Sequence, residues 1–137
     1  MEMKKILLDT NSCSVLFRGK DNRLMDTVED AGKVFVSTIV IGELLTGFRA
    51  ASREEENRKI LERFLDSYTT EIADVTQESA EIYSQIKVFL RRKGIPIPTN
   101  DVWIASHAIE SGAVLISYDK HFLKIPGLRI WDKLKIN

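Results

Sequence analysis

The chain has 137 residues, 44% hydrophobic and 29% charged, an ordinary mix for one globular domain with a sizeable core. Lys plus Arg and Asp plus Glu both total 20, so the net charge is zero and any grip on a polyanion must come from a local basic patch. The single cysteine, Cys13, excludes an intrachain disulfide and a cysteine-based zinc framework, and no apolar run suffices for a signal peptide or membrane span.

These bounds lead us to expect one cytoplasmic domain over residues 1–137. Residues 5–9 (KILLD) predict a buried strand, because the run is short, apolar and ended by polar turn residues. Residues 34–37 (VFVS) predict a second strand, and residues 38–49 (TIVIGELLTGFR) an apolar helix. Ile60, Leu61, Phe64, Leu65 and Tyr68 then recur at helical spacing, with Glu54/Arg58 and Glu55/Lys59 as exposed i,i+4 pairs. A third strand is expected at residues 70–74 (TEIAD). Residues 79–93 read as an amphipathic helix built on Ile82, Ile86, Phe89 and Leu90, stopped by Gly94, Pro96 and Pro98. A further helix begins near Thr99-Asn100-Asp101 and ends at Gly112. Residues 114–117 (VLIS) and 128–131 (LRIW) complete the set as fourth and fifth strands. Strand–helix alternation of this kind implies an α/β fold, with a mostly parallel sheet covered by helices on both faces.

In such sheets, functional groups gather beyond the carboxyl ends of strands, where the strand order reverses. Asp9 ends the first strand and Asp119 lies two residues past VLIS, so the two acids share a crevice if those strands are neighbours. Glu43 is embedded among Ile39, Val40, Ile41, Leu44, Leu45 and Phe48, where a carboxylate without a partner is costly. Asp101 opens the later helix and can project from its N-terminus into the same crevice. Each acid also has a plainer explanation. Asp9 with Thr10 and Asn11 reads as a turn and N-cap, Asn100 or Asp101 as a cap, Glu43 as a partner of Arg49 or another cation, and Asp119 as a solvated turn.

At these residues the sequence resembles a PIN-domain nuclease of the VapC toxin branch. LLDTNSCSVLF resembles that family's first motif, IGELLTGF its second, and TNDVWIASHAIESGAVLISYDKHF its third and fourth run together. The ordered match extends from Leu7 to about Trp131. It implies a PIN fold with a central five-stranded sheet in the order 3-2-1-4-5, which places the first and fourth strands side by side. It further implies a metal-dependent endoribonuclease whose site comprises Asp9, Glu43, Asp101 and Asp119. Thr10 and Asn11 would orient Asp9, Ser117 occupies a position often held by Ser or Thr, and Asn100 would support the site or cap its helix. Some members carry Asn near the position of Asp119.

The chemistry agrees with those residue types. Mg²⁺ or Mn²⁺ prefers carboxylate oxygens and suits phosphodiester hydrolysis. We expect Asp9 and Asp101 as the main direct ligands, with Glu43 and Asp119 completing the shell directly or through water. Four acids crowded together without metal should raise at least one pKa. Two basic groups are candidate phosphate contacts: Arg91-Arg92-Lys93, and Lys120 with His121 and Lys124. In the resembling motif His121 and Phe122 are expected to pack or cap a turn. The resemblance also implies an RNA substrate, a homodimer and a VapB-like antitoxin that covers the cleft; the apolar helices near residues 38–48 and 76–93 are candidate dimer surfaces, although such faces are more often core.

The competing readings are three. A haloacid-dehalogenase-type phosphotransferase expects a second acid where Asn11 stands, and a response-regulator receiver expects a lysine after a late strand that Lys120 does not supply. The third is a degenerate PIN domain serving as a scaffold without nuclease activity; retention of all four acids argues against it.

Overall fold

In the computed structural model, which describes residues 4–131, the first apolar run becomes strand β1 (Lys5–Leu8). Ile6, Leu7 and Leu8 are all fully buried. Successive strand side chains point to opposite faces, so burial of all three means that the sheet is covered on both sides. Each such side chain contributes roughly 1.5–3 kcal/mol on leaving water, which makes β1 the centre of the core.

Strand β2 (Lys33–Ser37) pairs parallel to β1 on one side, and β4 (Val114–Ile116) pairs parallel on the other. Strand β3 (Thr70–Ala73) pairs parallel to β2, giving the order β3-β2-β1-β4. The expected neighbourhood of the first and fourth strands is therefore present. Among the described residues the expected fifth strand is not. Residues 128–131 make one parallel bridge, Leu115 with Ile130: the Leu115 N–H donates to Arg129 O at 2.8 Å and the Trp131 N–H to Leu115 O at 2.9 Å. The upstream rung is pre-empted, because the Ala113 N–H donates to Ala108 O at 2.9 Å. Downstream, β4 ends at Ile116, so a ladder has nothing to continue on.

Two helices not anticipated from the sequence follow β1. Helix α1 (Thr10–Arg18) is capped by Asp9, so Asp9 is the residue after the strand and not its last member. Helix α2 (Asn22–Asp30) is capped by Asp21, whose side chain accepts from the Arg23 and Leu24 N–H groups. Both are only nine residues long, so each offers few apolar repeats from which to read a helix. The helix after β2, α3 (Thr38–Ala50), buries Val40 and Leu44. Helix α4 (Glu54–Leu65) carries the expected Glu54–Arg58 pair at 3.0 Å. It ends before Tyr68, which lies in the turn towards β3 and is 95% exposed; the helical spacing assigned to Tyr68 was coincidental.

Helix α5 (Gln77–Lys93) begins with a Thr76–Ser79 capping box and packs against α6 (Thr99–Ser111), with the Tyr83 and Trp103 rings stacked 4.0 Å apart. Helix α6 buries Val102, Ile104, Ala105, Ser106, His107 and Ala108. Gly112, at φ 67°, ends it in the left-handed conformation that a Cβ disfavours, and the chain turns directly into β4. A 3₁₀ turn (Lys120–Lys124) follows β4 and buries Phe122. Among the described residues no helix is long and apolar enough to cross a membrane.

Candidate active site

The strand order reverses between β1 and β4, and a cleft of about 330 Å³ opens there, beyond the carboxyl ends of the strands. Asp9, Thr10, Asn11, Glu43, Asp101, Tyr118, Asp119, Lys120 and Phe122 line it. All four expected acids thus meet in one place, although they come from four separate segments.

Asp9 is held most firmly. Its Oδ1 accepts from the Ser12 N–H at 2.9 Å, and its Oδ2 accepts from Ser117 Oγ at 2.6 Å. The N-cap role and the site role therefore coexist in one carboxylate. Asp9 is only 6% exposed, and burial pushes its carboxyl above the usual range; the Ser117 and Ser12 bonds oppose the shift and the Asp119 charge adds to it. Ser117 Oγ also accepts from the Asp119 N–H at 2.9 Å, so one buried hydroxyl ties the turn after β4 to the acid after β1.

Glu43 projects from α3 and accepts from two neutral donors, Thr10 Oγ1 at 2.5 Å and Asn100 Nδ2 at 3.3 Å. Its partner is thus not Arg49. Thr10 fastens Glu43 and not Asp9, whose orienting donors are the Ser12 N–H and Ser117. Asn100 supports Glu43 and does not cap its helix, because the N-cap of α6 is Pro98 and no side chain caps it. Asn11 is exposed on the cleft wall.

Asp101 lies in the first turn of α6 and is half-buried. Burial raises its pKa; the His121 charge lowers it, while Glu43, Asp119 and Asp9 raise it further. The anticipated crowding of acids is present, with loss of water the largest single cause of the shift. Asp119 is exposed and caps the 3₁₀ turn by accepting from the His121 N–H at 3.2 Å.

His121 is the residue whose importance the sequence reading understated. Its Nε2 lies 3.0 Å from Asp101 Oδ2 and its Nδ1 2.9 Å from Asp119 Oδ1. Phe122 packs inward as expected, but His121 faces the acids. Position was the available signal: a histidine two residues after a strand-end acid, in a tight turn, returns towards that acid. Asp101, Asp119 and His121 each present one ligand atom within 4.8 Å of the others. A hard divalent cation fits this arrangement, because convergent carboxylates gain most from a positive charge. Of the two basic groups, Lys120 lines the cleft and His121 contacts two of its acids, whereas Lys124 and, at the end of α5, Arg91, Arg92 and Lys93 do not line it.

A second unanticipated histidine, His107, is fully buried, and its Nδ1 lies 2.8 Å from Ser37 Oγ. Ser37 Oγ also caps α3 by accepting from the Ile39 N–H at 3.0 Å. This pair ties the helix carrying Asp101 to the start of the helix carrying Glu43.

Residues 6–128 match the family described as the PIN domain. The chain is 33% identical over 133 residues to ribonuclease VapC2 of Rickettsia felis, covering 93% of this chain and 98% of the relative. It is 31% identical over 132 residues to the tRNA(fMet)-specific endonuclease VapC of Salmonella typhimurium, covering 95% and 98%. Among solved structures, VapBC2 of Rickettsia felis, bound to a DNA fragment from its promoter, matches with a TM-score of 0.84 and 30% identity over 93% of this chain and 97% of that one. DNA-bound VapBC from Salmonella typhimurium matches equally well, with a TM-score of 0.84 and 30% identity over 94% and 98%.

Proposed function

The chain belongs to the VapC branch of the PIN-domain family, and we propose that it is a metal-dependent endoribonuclease, the toxin of a VapBC-type pair. The observation that carries this reading is the convergence of Asp9, Glu43, Asp101 and Asp119 in one cleft at the strand-order reversal.

Asp9 and Asp101 are the proposed principal ligands of Mg²⁺ or Mn²⁺, with Glu43 and Asp119 completing the shell. The cation supplies Lewis acidity that activates water and offsets charge on the phosphate. The protein supplies the fixed geometry. Ser12 and Ser117 hold both oxygens of Asp9, so this carboxylate is set before substrate arrives. Thr10 and Asn100 do the same for Glu43. Lys120, on the cleft wall, offers a positive charge to the RNA backbone.

Purified Asp9→Asn and Asp101→Asn variants are expected to fold normally and to lose RNA cleavage, as does the parent chain in excess EDTA. Full cleavage in either variant or in EDTA would overturn the mechanism. The RNA target is the part least specified by the cleft. Initiator tRNA, the substrate in the name of the Salmonella relative, is the first RNA to assay.

The similarity to VapBC structures supports a cognate VapB-like partner; that this partner covers the cleft, and that the toxin is a cytoplasmic homodimer, belong to the same proposal. Growth arrest on induction, relieved by co-expression of the adjoining small gene, is the expected outcome for the pair.

A further inference from the structure

We propose that His121 is itself a metal ligand, binding through Nε2, and that Asp119, besides its place in the shell, orients the His121 ring. This inference rests on the metal-site reading above and assigns its donor set.

The argument begins with an anomaly. The His121 Nε2 is buried and has no hydrogen-bond partner, although Asp101 Oδ2 lies only 3.0 Å away. A ring N–H would lower its energy by aligning with that oxygen, and here none is aligned. Two donor atoms that converge without bonding to each other are arranged to share a third atom. Cis ligands at about 2.1 Å from an octahedral cation stand about 3 Å apart, which is the separation between these two atoms.

The other ring nitrogen completes the pattern. Nδ1 lies 2.9 Å from Asp119 Oδ1, and a metal-binding histidine ordinarily donates its second N–H to a carboxylate, which fixes the tautomer and leaves the first nitrogen free to coordinate. The Asp119 carboxylate also accepts the His121 backbone N–H at 3.2 Å, so ring and backbone are held by the same group. Asp119 is exposed while His121 is half-buried, consistent with the acid standing outside and the imidazole inside. Phe122, buried next in sequence, prevents the turn from swinging away.

An imidazole donor has a consequence for metal choice. Mg²⁺ gains little from nitrogen, whereas first-row transition ions accept it, so the site favours Mn²⁺ over Mg²⁺ through His121.

Pulsed electron paramagnetic resonance of the full chain loaded with Mn²⁺ tests this without reference to activity. The chain contains two histidines, and the other, His107, is buried against Ser37, so a coordinated nitrogen can be assigned. The unsubstituted protein is expected to give the modulation of one directly bound imidazole nitrogen. His121→Asn should abolish it, retain weaker Mn²⁺ binding through the carboxylates, and bring Mn²⁺ and Mg²⁺ affinities closer together. Asp119→Ala should weaken Mn²⁺ binding by about 10–100-fold, the range for loss of a group that orients a ligand. Absence of nitrogen modulation in the unsubstituted protein, or its persistence in His121→Asn, overturns the assignment. If Mn²⁺ binding is present, nitrogen-silent and lost in Asp101→Asn, only the His121 assignment fails. If Mn²⁺ does not bind at all, the metal-site reading fails with it.

Discussion

Single residues at this site serve two masters, and Asp9 is the clearest case. It caps α1, accepts from Ser117 and carries a carboxyl whose pKa is raised, first by burial. Without metal, the folded chain therefore keeps a proton on Asp9 to higher pH than the unfolded chain does. The contribution of this group to stability is fully present below about pH 4, the unfolded value, and is lost as pH rises through the higher folded value. Asp9→Asn removes the charge and keeps the shape. In EDTA at pH 7 the variant is expected to melt at a higher temperature than the parent, and the gap should narrow as pH falls towards about 4. Millimolar Mg²⁺ should reverse the order by raising the parent's melting temperature through mass action while leaving the variant little changed. A variant that melts below the parent in EDTA at pH 7 would mean that the carboxylate is satisfied by the protein alone. Cys13, by contrast, behaves as the sequence suggests: it is fully buried, and burial pushes its thiol pKa up, away from reactivity.

Whole elements were legible to very different degrees. Strands β1, β2 and β4 announce themselves as short apolar runs, and α5 by its apolar spacing and the Gly94 stop. Helices α1 and α2 do not, because they are short and their stability comes from their ends. Asp21 illustrates this. It caps α2 through two backbone N–H groups and also accepts from the Tyr118 hydroxyl at 2.5 Å, joining α2 to the turn after β4. Asp21→Ala is expected to cost roughly 1–2 kcal/mol, the cost of losing an N-cap, read as a lower midpoint in urea unfolding. An unchanged midpoint would make α2 independent of its cap. The fifth strand fails for the complementary reason: residues 128–131 have a strand-like composition, but the backbone groups that would receive them are already engaged by the end of α6 or lie past the end of β4.

For the whole molecule, the open question is which surface remains for partners. Helix α3, one expected dimer surface, turns Val40 and Leu44 into the core and packs Ile39, Ile41, Leu45 and Phe48 against it. The outer side of α5 is a better candidate: Val88 is 41% exposed in a shallow groove with Ser84, Gln85, Phe89, Arg92 and Lys93. Light scattering is expected to give the mass of two chains, and Val88→Asp to give that of one with unchanged helix content. A dimer that survives the substitution would move the interface off α5. The zero net charge of the chain has a related consequence. A polyanion is not drawn in by the molecule as a whole, so under the proposed function the grip on RNA depends on the charges around the cleft.

The sequence by itself determined the strand–helix alternation, the central buried strand and the identity of the four acids, because these follow from local apolar patterns and an ordered set of motifs. Tertiary structure decided what holds those acids. Thr10 is next to Asp9 in the chain but donates to Glu43, and Ser117 is the residue that donates to Asp9. Tertiary structure also decided that His121 stands between Asp101 and Asp119. Such contacts join residues up to 108 positions apart, as Ser117 and Asp9 are. They form only when the parallel pairing of β1 with β4 brings two strand ends together, and no local pattern encodes that distance.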